Sequence, residues 1–236
     1  MPAPPQNNTL SRYRQSPSMP SKLLFLPGAL GRTQLWEPVV NLLEYPAAKA
    51  HFGWPDFGST PPDPLIRGID DLVAKVVAQI DQPTALIAQS MGGVIAMRVA
   101  LEKPYLVTHL VLAATSGGID VAGLGGQDWR PSFLEANPLL PRWFSAYQED
   151  LSPKLSKVAM PTLLLWGDSD LVSPVRVGER LASLLPCADL HIVEGGDHDL
   201  AETHASLIAS LIDEHLAKAA RPVLSPALRD KAAQRR

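Results

Sequence analysis

Short apolar runs alternate along the chain with segments in which apolar residues recur every three or four positions. The short runs, which are typical of buried strands, lie at residues 22–26, 49–52, 84–88, 109–113, 162–166 and 188–193. The intervening segments predict helices at residues 34–43, 69–80, 92–102, 175–185 and 202–217. Strands that alternate with helices of this length form βαβ units, so the pattern predicts an α/β fold with a mostly parallel sheet and helices on both faces.

Two of the predicted helices differ in how their apolar residues are distributed. The helix at residues 69–80 carries them on one face, at Ile69, Leu72, Val73, Val76, Val77 and Ile80. The helix at residues 92–102 is apolar on nearly every side. We therefore expect the second helix to be buried near the centre of the fold.

One long segment, residues 114–157, interrupts the alternation. Its first part is rich in glycine, and its second part contains the aromatic residues Trp129, Phe133, Trp143, Phe144 and Tyr147. Connections longer than about 12–15 residues are usually functional or disordered. Because of its aromatic residues, we expect this segment to form a packed insertion above the sheet.

Composition narrows the class of protein. A chain of 236 residues with 46% hydrophobic and 19% charged residues suits one α/β domain with a sizeable core and is too apolar for disorder. The single cysteine, Cys187, excludes a disulfide scaffold and a cysteine-based zinc cluster. No apolar run approaches the roughly 18 residues of a membrane span, and residues 1–20 lack the apolar core of a secretory signal. We therefore expect a cytoplasmic protein with no membrane partner.

Charge is distributed unevenly towards the C-terminus. Residues 218–236 carry a net charge of +5, whereas the rest of the chain carries −8. A basic segment can bind nucleic acid, but this one has no interleaved aromatic residues and contains two prolines. We therefore expect a solvated tail and no nucleic-acid partner. The predicted organisation is a flexible lead-in at residues 1–21, one domain at residues 22–217 and the basic tail at residues 218–236.

Ser90 lies where the predicted strand at residues 84–88 meets the predicted helix at residues 92–102. A tight turn at this point leaves the serine side chain exposed at the carboxyl end of the strand, and the following backbone N–H groups point into the same space. Small residues on both sides let the strand and the helix approach each other, and the helix N-terminus favours developing negative charge. This context is typical of a nucleophile in an open α/β sheet.

The residues around Ser90 resemble a motif of the α/β-hydrolase family. The family pattern is G-x-S-x-G, and this chain has Ala88-Gln89-Ser90-Met91-Gly92, with alanine in the first glycine position. The resemblance extends over about residues 22–216. Four further segments look like parts of the family fold. Residues 23–29 resemble its first strand with the oxyanion loop, and residues 54–59 resemble the turn after the next strand. Residues 163–174 resemble the strand and loop of the catalytic acid, and residues 193–198 resemble the loop of the catalytic histidine.

The resemblance implies a Ser-Asp-His triad in the chain order typical of this fold. Ser90 would be the nucleophile and His198 the base that takes its proton. Asp170 would orient the imidazole and stabilise its charged form. The backbone N–H groups of Ala29 and Met91 would bind the oxyanion.

The identity of the catalytic acid has one alternative. Asp168 lies two residues before Asp170, and periodicity does not distinguish the two. The family pattern places the acid three residues after the glycine, here Gly167, and therefore favours Asp170.

A metal site is the rival interpretation for the acidic residues beside His198. Asp197 and Asp199 flank it, but no second histidine has ligand spacing there, so we expect no metal. The chain has no phosphate-binding or dinucleotide fingerprint, and we expect no cofactor. His204 and His215 fall on the last predicted helix and are expected to be solvated.

These residues predict one domain with the α/β-hydrolase fold and a short cap insertion at about residues 117–152. The predicted activity is that of a serine hydrolase that cleaves a small ester, thioester or related acyl substrate through an acyl-enzyme. Family members usually place two strands before residues 22–26, and only residues 10–14 are available here, so we expect a trimmed hydrolase with an open pocket. A largely apolar acyl pocket is expected, lined by Leu30, Trp36, Trp54, Phe57, Trp129, Trp143 and Phe144.

Other functions stay open, because a fold does not fix a reaction. Relatives with the same triad include carbon–carbon bond hydrolases and lyases such as the menaquinone-pathway synthase. An arginine directly after Met91-Gly92-Gly93 would favour that synthase, and Val94 stands there instead. A non-catalytic small-ligand binding protein on the same fold is the remaining alternative.

Overall fold

Six parallel strands form one sheet in the computed structural model, which describes residues 19–57 and 59–218 apart from the side chain of Phe144. The order across the sheet is β2-β1-β3-β4-β5-β6, and every neighbouring pair is parallel. This sheet confirms the predicted fold class. The strands are β1 (Lys22–Leu26), β2 (Ala48–His51), β3 (Thr84–Gln89), β4 (Val107–Ala113), β5 (Thr162–Gly167) and β6 (Ala188–Val193).

Helices cover both faces of this sheet. None of those among the described residues is long and apolar enough to cross a membrane. Short 3-10 helices lie at Thr33–Trp36, Arg142–Phe144 and Ser152–Lys157. The α-helices are α1 (Glu37–Val40), α2 (Ile69–Val77), α3 (Met91–Glu102), α4 (Arg130–Ala136), α5 (Val175–Leu184), α6 (Leu200–Thr203) and α7 (Ala205–Leu216).

The core is divided by the sheet into two apolar layers. Alternate residues of a strand point to opposite faces, and accordingly Leu24 packs with α2, α3 and α5, whereas Phe25 packs with α1, α6 and α7. The central helix α3 has buried residues on all sides, as its uniformly apolar sequence predicts. Both sheet faces are therefore covered, which explains why β3, β4 and β5 are continuously buried.

Two of the predicted helices differ from the observed ones at their ends. The segment predicted at 34–43 forms a 3-10 turn followed by the single turn of α1, because Pro38 has no backbone N–H and can occupy only the first turn of an α-helix. The segment predicted at 202–217 is divided into α6 and α7 by His204, whose backbone lies at φ −123° and ψ 32°.

β1 is the position at which the order of the strands reverses. The chain passes from β1 to β2 on one side and then places β3 on the other side of β1. The loops that follow β1 and β3 therefore diverge at the carboxyl edge and leave a crevice, which is where open α/β sheets bind ligands. The loop after β3 contains Ser90.

The insertion between β4 and β5 packs on the α2–α3 side of the molecule. Its aromatic residues Trp129, Phe133, Trp143 and Tyr147 are half-buried against that core layer. Arg98 of α3 helps to hold it, since its guanidinium lies 3.7 Å from a Glu149 carboxylate oxygen and 5.9 Å from the centre of the Tyr147 ring. The predicted lead-in and basic tail, at residues 1–21 and 218–236, fall almost entirely outside the described residues.

Two buried histidines lie side by side between β4 and α7. The rings of His109 and His215 are perpendicular, with centroids 5.3 Å apart. His109 Nε2 is 2.8 Å from the carbonyl oxygen of Lys218, whereas neither ring nitrogen of His215 has a hydrogen-bond partner among the described residues. His215 is only 2% exposed, so the expectation that it is solvated is wrong. The helical spacing did not indicate that this face of α7 packs against β4.

Burial of the two rings opposes their protonation. Desolvation lowers the pKa of His109, and desolvation together with the neighbouring His109 and Lys218 charges lowers the pKa of His215 to about 4. An unfolded histidine titrates near pH 6.5. Protonation therefore favours the unfolded chain, and the stability contributed by the neutral His215 ring is complete above about pH 6.5 and is lost as the pH falls towards about 4.

We expect the free energy of unfolding to fall between about pH 6.5 and about pH 4 in the wild type, with up to about 3 kcal/mol of the fall due to His215. His215→Leu should remove that part of the fall, because leucine has no proton to gain. Urea unfolding followed by tryptophan fluorescence at several pH values measures it. His191→Leu, which replaces an exposed histidine, is the control, and equal pH dependence in both variants would contradict the prediction.

Candidate active site

The backbone at Ser90 has an unusual conformation. Its φ of 53° and ψ of −120° lie where residues with a side chain are rarely found. The Ser90 N–H donates to the Ala113 carbonyl over 2.9 Å, and the hydroxyl of Thr115 donates to the Ser90 carbonyl over 2.5 Å. These two bonds to the segment that ends β4 hold the turn between β3 and α3.

Glycines make this turn sterically possible. A Cβ atom at Gly92 would lie 2.5 Å from the Pro27 carbonyl oxygen, and one at Gly28 would lie 2.3 Å from Gln89 Oε1 and 3.4 Å from Ser90 Cβ. The distances of 2.5 and 2.3 Å are too short for any larger residue without movement of the neighbouring atoms. The loop after β1 and the start of α3 can therefore approach Ser90 only because glycine occupies both positions.

His198 links the serine to a carboxylate. It lies in the loop after β6, with Nε2 3.1 Å from Ser90 Oγ and Nδ1 2.9 Å from Asp170 Oδ2. The other Asp170 oxygen accepts the backbone N–H groups of Val172 and Ser173, at 2.8 and 2.9 Å. The Asp170 side chain is fully buried, whereas 26% of the His198 side chain is exposed. The structure thus brings the three predicted triad residues into one hydrogen-bonded chain.

Asp168 has a different set of contacts. Its Oδ1 accepts the backbone N–H of Gly195 over 2.8 Å and the hydroxyl of Ser169 over 3.0 Å. A Cβ atom at Gly167 would lie 2.1 Å from the Gly196 carbonyl oxygen, so the loops after β5 and β6 are in close contact here. Asp168 therefore joins these two loops at the surface, and Asp170 is the residue that pairs with the imidazole.

Gln89 makes a hydrogen bond in the site that the sequence did not predict. Its side-chain amide Nε2 donates to the backbone carbonyl of His198 over 3.0 Å, and the residue is 3% exposed. Because Gln89 directly precedes Ser90, this bond ties the histidine loop to the strand that carries the serine. The only signal in the sequence was its position, since a buried polar residue at the end of a central strand needs a partner.

The two backbone groups predicted for the oxyanion hole come from different parts of the chain. Met91 opens α3, and the first N–H groups of a helix have no partner within it. Ala29 follows Gly28 in the loop after β1, whose close approach to Ser90 is described above. The Gly28 carbonyl accepts the Trp54 indole N–H over 2.9 Å and the Gly31 N–H over 3.0 Å. The oxyanion hole itself stays a prediction.

Comparison with known families agrees with this geometry. A family model described as "Alpha/beta hydrolase family" matches residues 23–157, and a second described as "alpha/beta hydrolase fold" matches residues 127–205. The chain belongs to the alpha/beta hydrolase family. The protein therefore has the fold and the family that the motif around Ser90 implied.

Individual relatives are more distant. A 2-hydroxy-6-oxononadienedioate/2-hydroxy-6-oxononatrienedioate hydrolase of Paraburkholderia xenovorans is 30% identical over 94 residues, which are 40% of this chain and 31% of the relative's length. A pimeloyl-[acyl-carrier protein] methyl ester esterase of Neisseria meningitidis is 23% identical over a region that covers 86% of this chain and 96% of the esterase. A thermophilic esterase structure from Thermogutta terrifontis superposes with a TM-score of 0.70 at 17% identity, covering 88% of this chain and 93% of the esterase.

Three of the residues predicted to line the pocket are fully buried. Trp36 belongs to the core layer of α1 and α7, Trp54 donates its indole N–H to Gly28, and Phe57 packs beneath Gly31 and against the Trp143 ring. They have no surface to offer a substrate, so the prediction is wrong for these three. The sequence places these aromatic residues in segments near the predicted pocket, but it does not show the direction in which each ring points.

The other predicted lining residues keep some exposed surface. Leu30 is 43% exposed, and Trp129 and Trp143 are half-buried. The side chain of Phe144 lies outside the described part of the structure. Within the described residues, no group of three histidine, cysteine, aspartate or glutamate side chains is arranged to hold a metal ion.

The contacts of the two aspartates lead to opposite expectations for their variants. Asp170→Asn should lower kcat for an activated ester by about 10³- to 10⁴-fold, because the amide disrupts the required imidazole tautomer. Asp168→Asn should lower the free energy of unfolding by about 1 kcal/mol and change kcat less than about threefold. Steady-state kinetics and urea unfolding of both variants measure these effects. A larger loss of kcat in Asp168→Asn than in Asp170→Asn would refute the assignment.

Proposed function

We propose that this hydrolase is a serine hydrolase that cleaves a small ester or thioester through an acyl-enzyme intermediate. The observation that carries the proposal is the hydrogen-bonded chain from Ser90 Oγ through His198 to the buried Asp170 carboxylate. Both distances are within hydrogen-bond range, so His198 can take the Ser90 proton and Asp170 can stabilise the charge that results. The chain lies at the strained turn after β3, at the edge of the sheet where this fold binds ligands.

In the first half of the reaction, Ser90 Oγ attacks the carbonyl carbon while its proton passes to His198 Nε2, 3.1 Å away. The imidazole then becomes positively charged, and the Asp170 carboxylate at 2.9 Å stabilises that charge. The carbonyl oxygen becomes negative and accepts the N–H groups of Ala29 and Met91. When the carbon–oxygen or carbon–sulfur bond breaks, the leaving group takes the proton from His198 and the acyl group stays on Ser90.

In the second half, a water molecule repeats the attack on the acyl-enzyme. His198 removes a proton from the water as its oxygen bonds to the acyl carbon, and then returns a proton to Ser90 Oγ. The products are the carboxylic acid and the free enzyme. Every proton transfer in this cycle uses side chains that the structure brings together, so the proposal needs no cofactor.

Apolar side chains in the loop after β1 and in the insertion between β4 and β5 support an apolar acyl substrate. Leu30 is exposed in the loop after β1, and the half-buried Trp129 and Trp143 lie in the insertion that packs over the α2–α3 core layer. An apolar acyl chain that covers such surface is removed from water, which contributes roughly 0.8 kcal/mol per buried methylene. The similarity to a methyl ester esterase over 86% of this chain also supports an ester as substrate.

A second candidate function is hydrolysis of a 2-hydroxy-6-oxo dicarboxylic acid. The similarity to the Paraburkholderia hydrolase named for such substrates, 30% identity over 94 residues, favours it. The same serine, histidine and oxyanion groups would serve in that reaction. A substrate panel therefore distinguishes the two candidates better than a variant of the triad does.

We expect a fluorophosphonate probe to label the wild type on Ser90. Ser90→Ala should not be labelled, and His198→Ala should react at least about 10³-fold more slowly, because the hydroxyl is a weak nucleophile without its base. Mass spectrometry of the labelled peptide identifies the site, and Ser183→Ala, which alters an exposed serine of α5, is the matched control. A well-folded wild type that remains unlabelled would support the ligand-binding alternative and refute the proposal.

The substrate class is tested with p-nitrophenyl esters of increasing acyl length, acyl-CoA thioesters and a 2-hydroxy-6-oxo dienoate. We expect the highest kcat/KM for a short-chain ester or thioester, and loss of that activity in Ser90→Ala. A kcat/KM for the dienoate that exceeds every ester and thioester would establish the second candidate instead.

A further inference from the structure

We propose that Trp54 is a positioning residue for the oxyanion hole, because its indole N–H fixes the peptide bond that carries the Ala29 N–H. The inference rests on the proposed serine hydrolase function and goes beyond it by giving a role to a buried side chain that touches no substrate. The proposal is based on the 2.9 Å hydrogen bond from Trp54 Nε1 to the Gly28 carbonyl oxygen.

A single peptide unit links the Trp54 acceptor to the predicted oxyanion donor. The Gly28 carbonyl and the Ala29 N–H belong to the same planar group, and in a trans peptide they point in opposite directions. No cis peptide bond occurs among the described residues. A donor that holds the Gly28 carbonyl on one side therefore turns the Ala29 N–H towards the other side. Rotation of this peptide would move both groups together.

This peptide lies close to the nucleophile. A Cβ atom at Gly28 would lie 3.4 Å from Ser90 Cβ, so a side chain at position 28 would contact the serine. Trp54 reaches the same peptide from the segment after β2, where its own carbonyl accepts the Phe57 N–H over 3.0 Å. The carbonyl thus faces Trp54 on the side of the β2 segment.

Burial holds the Trp54 indole in place. Trp54 is fully buried and its ring lies 5.6 Å from that of Phe52. The hydrogen bond to Gly28 is partly buried, which limits competition from water, and accepting it polarises the peptide so that its N–H becomes a better donor. The Gly31 N–H also binds the Gly28 carbonyl, over 3.0 Å. Removal of the indole N–H should therefore loosen the peptide rather than abolish its orientation.

Trp36 provides a matched control, because its indole N–H binds a carbonyl of the same short segment. It is also fully buried, and its indole N–H donates to the Leu26 carbonyl over 3.1 Å, two residues before Gly28. The Leu26 carbonyl belongs to the peptide bond with Pro27, which has no N–H. Trp36 thus makes the same kind of bond to the same segment, but it can orient no donor towards Ser90. It packs in the core layer of α1 and α7.

The test compares Trp54→Phe with Trp36→Phe. Each variant loses one buried indole N–H, and we expect similar losses of thermal stability. Trp54→Phe should lower kcat for p-nitrophenyl acetate by about 10- to 100-fold at nearly unchanged KM, less than the 10²- to 10³-fold loss typical of removing an oxyanion donor. It should weaken binding of phenylboronic acid, a tetrahedral transition-state analogue, by a similar factor. Trp36→Phe should keep both values within about threefold.

Equal kcat and boronate affinity in the two folded variants would overturn the role of Trp54. If Trp54→Phe fails to fold, replacing Trp54 with 3-benzothienylalanine removes the N–H at constant ring size and is measured in the same way. An active wild type with a fully active Trp54 variant contradicts this inference alone. A folded wild type that hydrolyses no ester and is not labelled by the fluorophosphonate contradicts the proposed function and, with it, this inference.

Discussion

The backbone turn at Ser90 is the constraint on which the site depends. A φ of 53° at a residue with a side chain costs about 1–3 kcal/mol, and it persists only where the surroundings enforce it. Here β3 is continuously buried before the turn and α3 is buried after it, so neither can shift to relax the strain. Gly92 allows α3 to approach the loop after β1, in which the oxyanion donor Ala29 is predicted. The energy of core burial thus maintains a strained and reactive geometry.

The rest of the site is assembled by hydrogen bonds between loops. Gln89 holds the backbone of His198, Asp168 holds the N–H of Gly195, and the Ser169 N–H donates to Gly196 over 2.9 Å. These bonds join the ends of β3, β5 and β6. Each of these strands leads into the loop that holds one of the three hydrogen-bonded residues. A parallel sheet makes this possible because all of its carboxyl ends meet at one edge. Trp54 extends the same arrangement to the loop after β1.

Much of this could be predicted from the sequence, for identifiable physical reasons. Buried parallel strands are apolar throughout, so β1 was predicted with its observed ends. The family resemblance selected Ser90, Asp170 and His198 because their loops have distinctive local sequences. The sequence does not indicate in which direction a side chain points. Trp36, Trp54 and Phe57 are therefore predicted at the pocket but are buried in the structure. His215 is likewise predicted in solvent but packs on β4. Gln89 was missed because its partner is 109 positions away in the chain.

The most direct measurement is a crystal structure of the protein inactivated with diethyl p-nitrophenyl phosphate, whose tetrahedral phosphorus imitates the attacked carbonyl carbon. The account predicts a bond from phosphorus to Ser90 Oγ, with the phosphoryl oxygen about 2.7–3.1 Å from the N–H groups of Ala29 and Met91. The Gly28 carbonyl should remain bonded to Trp54. Phosphorus on any other residue, or a phosphoryl oxygen that points away from both N–H groups, would contradict the account.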